Sequence, residues 1–111
     1  MLKDLTKNYI EAFNNKDLEK ISELFTNDFA LEDPVVKRIE GKVEVLKSIQ
    51  NLFDSCTKLS FEAKNIYQDN KTTIIEFILK LDETVLAGTD IIEWESNKMK
   101  ELRAYLDIPK G

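Results

Sequence analysis

Apolar residues recur every three or four positions in three stretches of the first half of the chain, with charged residues between them. This spacing is typical of amphipathic helices that bury one face. It predicts helices over 2–13, 18–25 and 43–53. Two short strands, over 29–32 and 35–39, are predicted between the second and the third helix.

From Leu59 onward the pattern changes to an alternation of apolar and polar residues, which is typical of β-strands. One strand begins at Leu59, and polar turns separate it from strands over 72–81, 85–95 and 99–106. Successive strands with such short turns pair as an antiparallel meander. The pattern therefore predicts one α+β domain over 1–111, with three helices packed on a mainly antiparallel sheet.

The strands over 72–81 and 85–95 carry apolar residues on both faces. Helices that precede a meander can cover only one of these faces. A large apolar surface that remains exposed is commonly buried by a partner, and a second copy of the same chain is the simplest one. We therefore expect a homodimer that forms through the sheet.

The charge and hydropathy of the chain exclude two classes of partner. The net charge is −5, and no cluster of lysines and arginines is present to attract the phosphates of a nucleic acid. No uncharged run is longer than six residues, whereas a helix needs about 20 apolar residues to cross a bilayer. The first residues are charged where a secretion signal would be apolar. We expect a cytoplasmic protein that binds neither nucleic acids nor membranes.

The chain contains no histidine, and Cys56 is its only cysteine. This excludes Ser-His-Asp and Cys-His catalysis, and it excludes the common zinc and non-haem iron sites. Any proton transfer must use carboxylates, tyrosines or lysines. We expect no metal and no cofactor, and we expect Cys56 to be an inert thiol.

Asp33 stands directly before Pro34, in an apolar run between Leu31 and Val35. A residue before a proline is pushed out of the helical region into extended backbone. Asp33 is therefore either a turn residue whose carboxylate accepts backbone hydrogen bonds, or a base that faces a pocket.

A second carboxylate, Asp90, falls on the apolar face of the strand over 85–95, together with Ile92 and Trp94. Burial on that face would disfavour the ionised form and raise the pKa of Asp90, which would then be a proton donor at neutral pH. The alternatives are that Asp90 points to solvent, or that it pairs with Arg103 on the neighbouring strand, which would lower the pKa.

Tyr9 lies on the apolar stripe of the first helix, between Leu5 and Phe13. It either packs there with its hydroxyl at the rim, or it donates a hydrogen bond inside the same pocket as Asp33 and Asp90. Such a pocket could remove a proton next to a carbonyl group. Asp33 would be the base, and Tyr9 and protonated Asp90 would donate to the enolate oxygen.

Several segments resemble the nuclear transport factor 2-like (NTF2-like) superfamily, which includes ketosteroid isomerase and the SnoaL-type polyketide cyclases. They are NYIEAFNNKDLEKISELFTNDFALEDPVV, AGTDIIEW and LRAYLD, with Gly41 before the third helix. The resemblance covers nearly the whole chain and implies a cone-shaped α+β fold. It also implies an isomerase or a cyclase-type lyase that needs no cofactor, with Tyr9 as oxyanion-hole donor, Asp33 as general base and Asp90 as protonated acid.

The chain departs from this pattern at Phe25 and Ile49, which stand where some isomerases of the superfamily have supporting tyrosines. The alternative to an enzyme is therefore a non-catalytic homodimer that binds a small ligand or docks a protein. Histidine-dependent dehydratases are excluded by composition. The epoxide-hydrolase arrangement, an arginine between two aspartates, would need Arg103 because the only other arginine is Arg38.

The apolar stripes and the resemblance together predict the side chains that contact an apolar ligand with a carbonyl group. From the helices these are Phe13, Phe25, Ile49 and Phe53. From the strands they are Val35, Leu86, Ile92 and Trp94, of which Trp94 could instead belong to the dimer interface.

Overall fold

Helices dominate the first half of the chain and strands the second, as the sequence pattern predicts. The computed structural model describes residues 1–35 and 37–107. Its helices are α1 (Leu2–Asn14), α2 (Leu18–Leu24) and α3 (Lys42–Ser55). Its strands are β1 (Phe25–Asp33), β2 (Lys37–Glu40), β3 (Leu59–Asp69), β4 (Thr72–Leu81), β5 (Thr84–Glu95) and β6 (Lys98–Asp107). No helix within the described ranges is long and apolar enough to span a membrane.

The strands join in one sheet with the order β2-β1-β6-β5-β4-β3. Strands β3 to β6 form the predicted antiparallel meander, and β1 pairs antiparallel with β2. The pairing of β1 with β6 is parallel, so the sheet is mainly antiparallel, as expected. Because β6 lies between β1 and β5, this order brings the end of β1, with Asp33, close to the middle of β5, with Asp90.

Strand β1 is longer than the sequence predicts. Residues 26–28 are polar and indicate a break after a helix that includes Phe25, yet β1 begins at Phe25 and contains all of them. Phe25 pairs with Met99 of β6, and the register shifts before Ala30. This irregularity lets the polar residues pass through the strand without ending it.

The prediction of a strand from Val35 is wrong. Val35 lies in the turn that follows Asp33, and β2 begins only at Lys37. The turn forms because the backbone N–H of Val35 donates a hydrogen bond to the Asp33 side chain. The predictions for Val36 and for residues 108–111 lie outside the described residues.

The helices pack against one face of the sheet, which we call the inner face, and the hydrophobic core lies between them. Strand β4 shows how the two faces differ. Its residues alternate between buried side chains on the inner face and half-buried ones, such as Ile74 and Ile78, on the outer face. Aromatic rings fill much of the core, including a stacked pair, Phe25 and Phe29, whose centroids are 3.8 Å apart.

The ends of α1 and α3 are fixed by hydrogen bonds from polar side chains. The Lys16 ammonium donates to the carbonyls of Phe53 (2.9 Å) and Cys56 (2.7 Å) at the end of α3, where a positive charge complements the helix dipole. The Asn14 side chain accepts a hydrogen bond from the backbone N–H of Phe61 in β3 (2.9 Å). These bonds hold both helices over the inner face, on either side of a cavity.

Candidate active site

A cavity of about 510 Å³ lies between α1, α3 and the inner face of the sheet. This volume is within the range of small-molecule sites. Most of the wall is apolar, and it includes the rings of Phe13, Phe25, Phe29, Phe61 and Phe77. The cavity is also lined by the three residues that the sequence predicts to take part in proton transfer, Tyr9, Asp33 and Asp90. The fold therefore brings the three residues together.

Asp90 lies on β5 with its side chain on the inner face, and only 5 % of the residue is exposed. Its neighbours across the sheet are Ile75 on β4 and Ala104 on β6. Burial raises the pKa of Asp90 to about 8, and the negative charge of Asp33 contributes to the shift. Asp90 is therefore mainly protonated at neutral pH, and the alternative of a solvent-facing carboxylate is wrong.

Arg103 does not pair with Asp90, because it lies on the other face of the sheet. It is opposite Ile91 in the register of β5 and β6, one position away from the Asp90 pair. There it contacts Glu93 (2.7 Å) and Glu101 (3.5 Å). A one-residue step along a strand moves a side chain to the opposite face, so the arginine cannot lower the pKa of Asp90 by direct contact.

Asp33 ends β1 at the cavity wall, and its side chain is half-buried. One carboxylate oxygen, Oδ1, accepts a hydrogen bond from the backbone N–H of Val35 (2.8 Å). Asp33 thus shapes the turn around Pro34 and also lines the cavity.

Tyr9 projects from α1 into the aromatic part of the cavity wall. Only 5 % of the residue is exposed, so Tyr9 belongs to the core and also lines the cavity. Its ring meets Phe61 edge-on (6.3 Å between centroids) and Phe13 at a tilt (5.9 Å). Burial raises the pKa of Tyr9 well above the ordinary value, with a smaller contribution from Asp90. The phenol therefore stays protonated and can donate.

Comparison with protein families identifies the fold. A profile of the SnoaL-like domain matches residues 6–102. The chain belongs to the SnoaL-like family. Among curated proteins none matches the sequence at a significant level.

Solved structures agree with this SnoaL-like assignment. A candidate ketosteroid isomerase from Kribbella flavida superposes with a TM-score of 0.86 at 17% identity, over 99% of this chain and 80% of that chain. A candidate SnoaL-like polyketide cyclase from Shewanella denitrificans gives 0.83 at 14%, over 96% and 90%. An LEH-like epoxide hydrolase from M. tuberculosis gives a TM-score of 0.78 at 15% identity, over 94% of this chain and 80% of that chain. At these identities the structures establish the NTF2-like fold, and the resemblance noted in the sequence is confirmed.

Five of the residues predicted to contact a ligand line the cavity of the SnoaL-like domain. They are Phe13, Phe25, Val35, Ile49 and Leu86. The other three, Phe53, Ile92 and Trp94, are buried but do not line it, so their prediction as wall residues is wrong.

The position of each of these three residues along its helix or strand explains why it does not line the cavity. Phe53 turns toward α1, where its ring meets Phe13 edge-on (5.1 Å). Ile92 and Trp94 lie further along β5 than Asp90. The indole N–H of Trp94 donates to the Thr73 hydroxyl (2.8 Å), so Trp94 is inside the protomer and is not part of the outer face either.

The wall residues that sequence reasoning missed include a polar row on α3, namely Ser48, Asn51 and Ser55. They follow one another at spacings of three and four, so they share a side of the helix. The same spacing was available in the sequence. It carried no signal for a pocket because a polar row on an amphipathic helix ordinarily faces solvent.

Proposed function

We propose that this SnoaL-like protein binds an apolar molecule that carries a carbonyl group and transfers a proton from the carbon next to that carbonyl. The observation that supports the proposal is the shared cavity of Tyr9, Asp33 and Asp90, in which Asp90 is held in its neutral form. Names among the structural neighbours, including a candidate ketosteroid isomerase and a candidate polyketide cyclase, are consistent with it.

The proposed step conserves charge and atoms. The C–H bond next to the carbonyl breaks, its proton passes to the Asp33 carboxylate, and the electron pair moves toward the carbonyl oxygen. Tyr9 and protonated Asp90 donate hydrogen bonds to that oxygen as its negative charge develops. Asp33 then returns the proton to the same carbon or to a conjugated one, which gives exchange or isomerisation.

The apolar wall around these groups strengthens the electrostatic stabilisation of the developing negative charge. Donors that are fixed in an apolar, low-dielectric site stabilise a developing oxyanion more than water does, because they need no reorganisation. Both arginines of the chain are on the outer face, where Arg38 pairs with Glu32, Glu40 and Glu101. The arrangement of two aspartates around an arginine, which epoxide hydrolysis would use, is therefore not formed.

The proposal is tested by hydrogen–deuterium exchange at the carbon next to the carbonyl of 2-tetralone, followed by NMR in D₂O against a blank without protein. Asp33→Asn should lower the protein-dependent exchange rate by ~10²–10⁴-fold, because the amide cannot take the proton. The amide oxygen can still accept the Val35 N–H bond, so the turn is kept. Asp54→Asn, on the exposed side of α3, is the matched control. An unchanged rate in Asp33→Asn would end the proposal.

A non-catalytic ligand-binding protein is the second candidate. The observation that favours it is the apolar character of Phe25 and Ile49, which line the cavity without any hydroxyl to support Tyr9. A non-catalytic protein should bind 2-tetralone with an affinity that Asp33→Asn does not change. The wild-type protein should then give no hydrogen–deuterium exchange above the blank.

We also propose a homodimer that covers the outer face. Half-buried Ile74, Ile78 and Ile91 lie there, flanked by Tyr67 and Tyr105, which are 50% and 56% exposed. Sedimentation of wild-type protein at micromolar concentration should give the mass of a dimer. Ile78→Lys should shift the sedimenting mass toward that of the monomer, because it would bury a charge without a partner in the dimer interface. A monomeric wild type would contradict the proposal.

A further inference from the structure

Helix α3 contributes two adjacent rows of side chains to the cavity wall. The first row is apolar and consists of Val45, Ile49 and Leu52. The second row is polar and consists of Ser48, Asn51 and Ser55. One wall of the cavity therefore offers hydrogen-bonding groups along about 10 Å of helix.

The rest of the described wall is different. Outside this polar row, its side chains with hydrogen-bonding groups are Tyr9, Asp33 and Asp90, and it contains no lysine or arginine. The polar side chains of the wall thus form two sets. One holds the groups proposed for proton transfer, and the other is the row on α3.

Burial distinguishes the row on α3 from Tyr9 and Asp90, whereas Asp33 is half-buried like Ser48. Tyr9 and Asp90 are each 5% exposed, whereas Ser48 is half-buried and Asn51 is exposed. The row on α3 therefore lies toward the mouth of the cavity. The Ser55 hydroxyl already donates to the carbonyl of Leu52 (2.7 Å) within the helix. Ser48 and Asn51 are consequently the better hydrogen-bonding partners for a bound molecule.

We propose that Ser48 and Asn51 form a specificity subsite for a second, uncharged hydrogen-bonding group of the ligand, such as a hydroxyl. The inference rests on the proposed function, in which the carbonyl group of the ligand lies deeper, at Tyr9 and Asp90. The ligand class is then an elongated, neutral molecule with an oxygen function at each end. Anionic ligands are disfavoured, because no cationic side chain lines the described wall and Asp33 would repel them.

Three probes with the same ring system test the subsite: 2-tetralone, 6-hydroxy-2-tetralone and 2-tetralone-6-carboxylate. Binding is measured by calorimetry and exchange by NMR. Wild-type protein should bind the hydroxylated probe roughly three- to tenfold more tightly than 2-tetralone, as expected of one hydrogen bond, and the carboxylate more weakly than either. Ser48→Ala combined with Asn51→Ala should abolish the gain from the hydroxyl and leave 2-tetralone within about twofold.

Two further variants sharpen the test. Gln50→Ala removes an exposed amide of α3 that does not line the cavity, and it should leave all three affinities unchanged. Asn51→Lys places a cation at the mouth and should strengthen binding of the carboxylate probe while 2-tetralone is little affected.

The outcomes separate this inference from the proposed function. Equal binding of 2-tetralone and its hydroxylated analogue, or a hydroxyl gain that survives the double substitution, overturns the subsite while Asp33-dependent exchange can still stand. A hydroxyl gain without any exchange supports the subsite and contradicts proton transfer. If none of the tetralones binds, the ligand class itself is wrong and the subsite falls with it.

Discussion

Asp90 and Glu93 lie three residues apart on β5 and show what each face of the sheet does to a carboxyl group. On the inner face, burial raises the pKa of Asp90 to about 8, with a further contribution from Asp33. On the outer face, hydrogen bonds from Thr72 and Arg103 lower the pKa of Glu93. The same strand therefore carries a neutral acid on one side and a stabilised anion on the other.

The surroundings of the two groups explain the contrast. Glu93 belongs to a chain of ion pairs on the outer face, where Arg103 bridges it to Glu101, and Glu101 in turn meets Arg38. Asp90 has the apolar cavity beside it and a second acid, Asp33, close enough to shift its pKa. Strand register thus decides which carboxyl group can donate a proton, because it decides which face the group occupies.

The largest expected effect concerns stability as a function of pH. The pKa of Asp90 is about 8 in the folded protein, against 3.8 for a free side chain, so the folded state binds more protons between these values. Its contribution to stability is present in full below about pH 4 and is lost as the pH rises toward 8. Asp90→Asn cannot ionise and lacks this dependence.

Chemical denaturation of the wild type and Asp90→Asn across this pH range checks the prediction. The free energy of unfolding of the wild type, relative to the variant, should fall by several kcal/mol, at most ~5 kcal/mol, between pH 4 and 8. A constant difference would mean that Asp90 ionises in the folded protein as freely as in the unfolded chain.

The second-largest effect is expected on the rate of hydrogen–deuterium exchange in 2-tetralone. Asp90→Ala removes a donor to the developing oxyanion and should slow protein-dependent exchange by ~10²-fold. Glu93→Ala removes a carboxylate on the same strand but on the outer face, and the exchange rate of this variant should stay within about twofold of the wild type. Equal losses in the two variants would indicate that both act through folding rather than through the site.

The smallest effect is expected for Glu93→Gln. Because the pKa of Glu93 is lowered, its contribution to stability is present at neutral pH and is lost as the pH falls into the acid range, opposite in sign to Asp90. The Arg103 and Glu93 side chains are 27% and 35% exposed, so the loss at pH 7 should stay within ~1 kcal/mol and shrink in high salt. Urea titrations at two salt concentrations measure it; a loss independent of salt would contradict an electrostatic origin.

Much of the fold could be predicted from the sequence because apolar residues recur at a regular helical or strand spacing in each long element. The alternation along β4 and β5 correctly placed Asp90 on an apolar face, and the helical spacing of α1 placed Tyr9 toward the core. The extended backbone before Pro34 left open whether Asp33 shapes a turn or faces a pocket, and the structure shows both positions to be compatible. These predictions depend on local rules, and the rules hold where one face is buried.

The features that the sequence could not predict depend on contacts between segments that are distant along the chain. The parallel pairing of Phe25 with Met99 extends β1 through polar residues that locally favour a break. The hydrogen bond from Trp94 to Thr73 places the indole inside the protomer, although alternation alone allows a cavity wall or an interface. Asn51 looks like a surface residue in the sequence, and only the packing of α3 over the sheet places it at a cavity mouth.

The central question is whether Asp90 holds its proton at neutral pH beside Asp33. A pH titration of the side-chain carboxyl ¹³C resonances measures this directly, with Asp90→Asn to assign the signal. The resonance of Asp90 should titrate with a midpoint of about 8. A midpoint below ~5, as for ordinary aspartates, would show that Asp90 is ionised in the cavity and cannot donate to an enolate oxygen.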